Sequence, residues 1–130
     1  MCVCLQLLAV LEEFVDTWIK HGTYIAMEWP RDCTYCKRND VLSLINRLQL
    51  KEANFHGCYF GLTSVVDPSR FMKKPWKLLT NCEPLYHAFN GCLCPKTHEH
   101  AECRGKDAKA SENYNEHIVK LIHKSFRQCL

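Results

Sequence analysis

The sequence predicts an α/β fold, a mixed sheet with an antiparallel edge hairpin and flanking helices, on three observations. A helical stripe runs into a β-branched apolar stretch at residues 23–27 that does not alternate, as in a strand covered on both faces. The same order, helix then strand, recurs over residues 39–60. A turn signal at Asp67-Pro68-Ser69 then precedes another short apolar run at residues 76–80, which reads as a strand returning antiparallel.

Each element has its own warrant. Leu5, Leu8, Ala9, Glu12, Val15, Trp18 and Ile19 recur at three- and four-residue spacing, and Gly22 is placed to end that helix in the left-handed conformation. Asn39 or Asp40 caps a second helix with Val41, Leu44, Ile45 and Leu48 on one face. Residues 53–60 read as a strand broken by Gly57 and closed by Gly61, and residues 62–66 are also strand-like. Pro84 fits the first turn of a short helix over residues 84–89. Asn115 caps a last helix that puts Ile118, Leu121, Ile122 and Phe126 on one face, with Lys120, Lys124 and Arg127 outside.

At 130 residues the chain is one domain or part of one, and its formal charge of +3 permits an acidic partner without requiring one. The first eleven residues are apolar but lack a basic start and a small-x-small cleavage site, and Glu12 and Glu13 follow at once. No apolar run reaches the length of a bilayer span, so no membrane partner is expected. The expectation is an intracellular protein, cytoplasmic or nuclear, whose ten cysteines are reduced thiols, some of them on metal.

Candidate chemistry falls in three places. Glu28 stands where the apolar run of residues 24–27 gives way to Trp29, Pro30 and Arg31, and a carboxylate at a strand end is well placed for acid or acceptor work, as a solvated loop residue is the plainer alternative. Trp29 can stack on a base or pack at the strand end. Arg70, Lys73, Lys74 and Lys77 around Trp76 make a basic, aromatic patch suited to phosphates or simply to solvent. The segment at about 91–105 is too polar to build a core and carries Cys92, Cys94, His98, His100 and Cys103, thiols and imidazoles close enough in sequence to hold zinc. Cys33 and Cys36 add a half-site that can join Cys92 and Cys94 or act as a redox pair. Cys58 and Cys82, in apolar settings, read as buried small hydrophobes, and His56 is given no role.

The order of elements, with Glu28-Trp29-Pro30 on a strand, Cys58-Tyr59-Phe60-Gly61-Leu62, Lys74-Pro75-Trp76 with Thr80-Asn81, His98-Glu99-His100 and Tyr114-Asn115, resembles the second half of cytosine-5 DNA methyltransferase domains, in particular the divergent versions of phages and mobile elements. The resemblance spans about residues 22–127 and implies a partial Rossmann-like sheet in a single truncated domain over 1–130. It implies that Glu28 is the catalytic acid at a flipped cytosine, that Trp29, Arg31, Lys73 and Lys74 contact nucleic acid, and that the cofactor is S-adenosylmethionine. The sequence departs from the pattern in having Trp29 where the enzymes carry Asn, no glycine loop before Tyr24, and no Pro-Cys nucleophile loop, since Cys2 and Cys4 stand at a helix start without one. The expectation is therefore a remnant or fragment, inactive without a complementary N-terminal segment. The competing expectation is a small zinc-stabilised module that binds nucleic acid or protein without catalysis, with a thiol redox role for Cys33 and Cys36 third.

Overall fold

The computed structural model describes residues 3–130. The expectations for Cys2, and for the side chains of Cys4 and Leu5, lie outside what it describes. Helix α1 (Val3–His21) ends as expected: Gly22 has φ +62°, its N–H reaches Ile19 O at 3.2 Å, and Thr23 N–H reaches Trp18 O at 3.0 Å. Strand β1 (Ala26–Pro30) starts later than the apolar run suggests, so Glu28 lies mid-strand rather than at its end. The cause is local. Ile25 N–H goes to Asn81 Oδ1 at 2.8 Å and Ile25 O accepts from Thr80 Oγ1 at 2.7 Å, so ladder pairing begins only at Ala26.

Helix α2 (Asn39–Arg47) is preceded by Arg38 in an extended conformation, with no side-chain cap. Asp40 does not cap; it sits in the first turn, accepts from Val41 N–H at 2.9 Å and pairs with Arg38 at 2.7 Å. Strand β2 (Lys51–His56) gives way to a 3-10 turn at Gly57–Phe60, shortening the strand expected over 53–60. Gly57 makes room there: a Cβ would lie 2.6 Å from Leu62 Cδ2 and 3.1 Å from Trp76 Cζ3, so these buried side chains would have to shift. Residues 62–66 are not a strand beyond one bridge between Thr63 and Phe71. Buried Asp107 claims the donors instead, taking Ser64 Oγ–H and Val65 N–H, each at 2.7 Å.

Strand β3 (Pro75–Thr80) lies between the other two, in the order β1-β3-β2, and is antiparallel to both. β1 and β2, joined through α2, therefore run parallel to each other without touching, with Leu78 facing Glu28 on one side and Ala53 on the other. The expected edge hairpin of residues 62–66 with 76–80 does not form: the returning strand is β3, which is central and pairs with β2 and β1, and every strand pair of the sheet is antiparallel. The chain continues through α3 (Glu83–Phe89, Pro84 in its first turn), α4 (Lys106–Ala110) and α5 (Glu116–Arg127). Asn115 caps α5 as expected, accepting from Ile118 N–H at 3.0 Å.

Helices cover both sheet faces, which explains the apolar runs. On one face Val15 of α1 and Val41 and Leu44 of α2 pack with Leu79, with Met27 and Trp29 of β1 against them. Arg47 fastens α2 to α1 through Glu12 at 2.9 Å and Asp16 at 2.6 Å. On the other face Phe55, Phe60, Trp76, Leu78, Leu85, Phe89 and Ile118 form an aromatic core, with the Phe55 and Phe89 rings 4.8 Å apart. Cys82 is no free hydrophobe: it forms a disulfide with Cys129 just beyond α5, a departure from the expectation that all thiols are reduced. No helix among the described residues is long and apolar enough to cross a membrane.

Candidate metal centre

Residues 91–101 have few apolar side chains to bury, and backbone bonds hang them on the sheet. Gly91 N–H donates to Asn54 O at 3.1 Å and His56 N–H donates to Cys92 O at 3.0 Å, which lays the segment along the outer edge of β2. That path brings Cys94 beside Cys58, in the 3-10 turn that ends β2. The chain then reverses at Lys96, with φ +61°. It returns along Phe71, whose N–H donates to Glu99 O at 3.3 Å and whose O accepts from Ala101 N–H at 2.8 Å. His98 and His100, two apart in this extended run, both turn to Cys94.

The ligand atoms of Cys58, Cys94, His98 and His100 all lie within 4.8 Å of one another. Cys94 Sγ is 3.6 Å from His98 Nε2 and 3.4 Å from His100 Nε2, and the two Nε2 atoms are 3.1 Å apart. Zinc bonds of about 2.3 Å to sulfur and about 2.0–2.1 Å to nitrogen place tetrahedral S···N edges at about 3.6 Å and N···N edges at about 3.3 Å. The observed edges fit. Lys96 N–H points at Cys94 Sγ at 3.4 Å, a backbone donor suited to a thiolate. Burial and the neighbouring Cys94 thiol push Cys58 up to about 12, so two thiolates side by side need a cation between them. Burial, with the charges of His98 and Lys73, holds His100 below its ordinary range, in the neutral form that metals require.

Of the five metal ligands expected from sequence, Cys94, His98 and His100 are brought together and Cys92 and Cys103 are not. Cys92 Sγ lies against Ala88 O at 3.5 Å and its residue packs on the aromatic core, while Cys103 Sγ faces Ser111 Oγ at 3.5 Å. Cys58 takes the fourth place, against the expectation of an inert core thiol. A cysteine between two glycines directly after a strand was the available signal, since such a turn can turn its side chain out of the core. Cys33 and Cys36 flank and enter a separate 3-10 turn (Thr34–Lys37) and stay outside the group.

The remaining candidates divide. Arg31 and Lys73 are exposed and, among the described residues, neither side chain has an ion pair or hydrogen bond. Lys74 turns inward: its Nζ donates to Ser111 O at 2.5 Å and to Ser111 Oγ at 2.7 Å, and lies 5.2 Å from the Trp76 ring centre. Trp29 is half-buried against the α1/α2 face. Glu28 Oε2 accepts from Tyr114 O–H at 2.9 Å, while its Oε1 is buried without a partner. Burial raises the Glu28 carboxyl above its ordinary range, against the pull of the Tyr114 hydrogen bond and the Lys74 charge. His56, unassigned from sequence, is 6 % exposed; its Nδ1 accepts Cys94 N–H at 2.9 Å and its Nε2 has no partner. No protein-family model, curated protein or solved structure matches the chain.

Proposed function

We propose that this chain is a non-catalytic nucleic-acid-binding module whose Cys/His segment is ordered by zinc. The observation that carries the reading is the Cys58, Cys94, His98, His100 group, with donor edges of 3.6, 3.4 and 3.1 Å. Thiolate with imidazole selects zinc over magnesium or calcium, and four protein ligands leave no open position for a reacting water, so the metal is structural. The exposed, unpaired cations Arg31 and Lys73 near the group support nucleic acid as the partner class. Glu28, with Oε2 held by Tyr114 O–H at 2.9 Å and Oε1 buried, is engaged within the fold, which supports a non-catalytic reading.

The same reading takes the scaffold as a remnant of a methyltransferase-like, partial Rossmann-like sheet. What supports it is the pair of parallel strands β1 and β2 joined by α2, with Glu28-Trp29-Pro30 on the first and β3 antiparallel between them. An active enzyme would need a complementary N-terminal segment. S-adenosylmethionine stays outside the proposal, since no described residue supports a site for it.

The test is native mass spectrometry of the full chain purified with zinc, with S-adenosylmethionine added to a parallel sample. One zinc per chain, removed by a chelator together with a drop in melting temperature, is the expected result. A chain whose Cys58 and Cys94 are reduced and which holds no zinc overturns the proposal, and an S-adenosylmethionine adduct would restore the enzyme reading.

A further inference from the structure

The zinc group shares its end of the sheet with a second set of groups. β1 and β2 run parallel, and their carboxyl ends are followed by Arg31 and by the turn holding Cys58. Arg31 N–H donates to Pro75 O at 3.1 Å and Gly57 N–H to Lys74 O at 3.1 Å, so the ends of β1 and β2 and the Lys73-Lys74 segment are tied into one corner.

His56 is built into that corner. Because its Nδ1 accepts the Cys94 N–H, the ring proton resides on Nε2, a donor that finds no acceptor in the fold although the residue is 6 % exposed. A buried donor without an acceptor is destabilising and rare in native folds, so it calls for an explanation. The groups whose charge acts on this ring are Lys73, Arg31 and His100, and among the described residues neither Lys73 nor Arg31 has an acidic partner. A buried N–H with no acceptor, with two unpaired cations close enough for their charge to act on its ring, is complementary to an anion.

Zinc loading bears directly on this corner. Cys94 supplies both a metal ligand and the N–H that fixes the His56 tautomer. Lys73 follows Phe71, whose backbone is paired with the ligand-bearing run and whose ring lies 4.2 Å from that of His98. Arg70 is tied to Glu99, between the two histidine ligands, at 3.1 Å. We propose that Arg31, Lys73 and His56 form a phosphate-binding corner positioned by the zinc-held segment, and that its ligand is the phosphodiester backbone of a nucleic acid. This rests on the zinc module reading and names the contact through which that module binds.

The experiment is fluorescence anisotropy of a labelled single-stranded oligonucleotide with the zinc-loaded full chain across a salt series, zinc content being measured on each sample. Arg31 and Lys73 are exposed, so the R31A/K73A double variant should keep its fold and its zinc. Its affinity should fall at least about tenfold at low salt, with a log–log salt slope shallower by about 1.4, the value for two phosphate contacts on a single strand. His56→Asn, which retains an acceptor for Cys94 N–H but loses the Nε2 donor, should weaken binding with zinc retained. Unchanged affinity and slope in the double variant, or undiminished affinity in zinc-loaded H56N, overturns the corner. Wild-type protein that holds zinc but binds no oligonucleotide overturns it and leaves the zinc reading standing. Binding that is lost in R31A/K73A but is present in a chain that never held zinc overturns the positioning by zinc, since the corner would then stand without the metal. Inorganic phosphate that competes as well as an equal concentration of oligonucleotide phosphate would mark a small-anion site and overturn the nucleic-acid assignment.

Discussion

The two-faced sheet and the segment after Gly91 are held by different physics. Around the sheet, Val15, Val41 and Leu44 on one side and Phe55, Phe89 and Ile118 on the other are at most 2 % exposed, so apolar burial does the holding. In the segment over 91–101 no residue is fully buried, and its order comes from backbone bonds to Asn54, His56 and Phe71 and from four convergent donors. The first region tolerates exchanges between apolar side chains that preserve volume; the second tolerates volume change that preserves ligands.

That contrast predicts where substitutions hurt most. Cys58→Ala removes little volume but deletes a ligand, so zinc should be lost and the 91–101 segment should lose hydrogen-exchange protection as a unit. Cys92→Ala, in a neighbouring thiol that sequence spacing favours, should keep full zinc occupancy. Equal zinc loss in both variants would return the site to the sequence-expected set. Because zinc must displace protons from two thiols, occupancy should also fall as pH is lowered, through competition at the ligands.

The complementary change in the sheet is Phe55→Ala. Phe55 is 2 % exposed and touches the rings of Phe60, Trp76 and Phe89, at centre distances of 5.9, 5.4 and 4.8 Å. Its truncation should cost about 3–5 kcal/mol in chemical unfolding and leave zinc stoichiometry unchanged in the folded fraction. A cost below about 1 kcal/mol would mean that this core collapses around the cavity and does not carry the fold.

The same division decides what was legible. The α1 stripe with Gly22, the α5 face with Asn115 and the approximate places of β1, β2 and β3 follow from periods and caps, which are local signals, whereas the strand expected over 62–66 does not form. The place of β3 is not local: it pairs with β2 through a long hairpin connection, but it also fills the gap left between β1 and β2, and no period encodes its pairing with β1, distant in sequence. Three of four metal ligands lie within one short run and were readable there. The fourth, Cys58, is brought by the sheet edge, and the disulfide between Cys82 and Cys129 likewise depends on α5 returning over α3. Lys74 illustrates the limit from the other side. A charge run reads as solvated, yet this lysine bonds Ser111 because the chain turns inward at φ +33°.

Glu28 lies in the sheet without sharing its apolar packing, and gives the smallest effect. Its carboxylate is buried with one oxygen unpaired, and the Tyr114 hydroxyl is its one hydrogen-bond donor among the described residues. A carboxyl raised above its ordinary pKa binds more protons in the native state than in the unfolded one, so stability falls as pH rises through the window between those two values. Tyr114→Phe removes the hydrogen bond that pulls the carboxyl down, which should raise it further and widen that window. At neutral pH the variant should therefore lose about 1–3 kcal/mol, the cost of a buried acceptor left unpaired. The loss should shrink as pH falls below the ordinary carboxylate range, where Glu28 is protonated with or without Tyr114. Urea unfolding midpoints of both proteins at neutral and acidic pH measure the difference. A pH-independent loss would assign the cost to the packing of the Tyr114 ring on Trp76, 5.4 Å away, and would leave Glu28 free to take another partner.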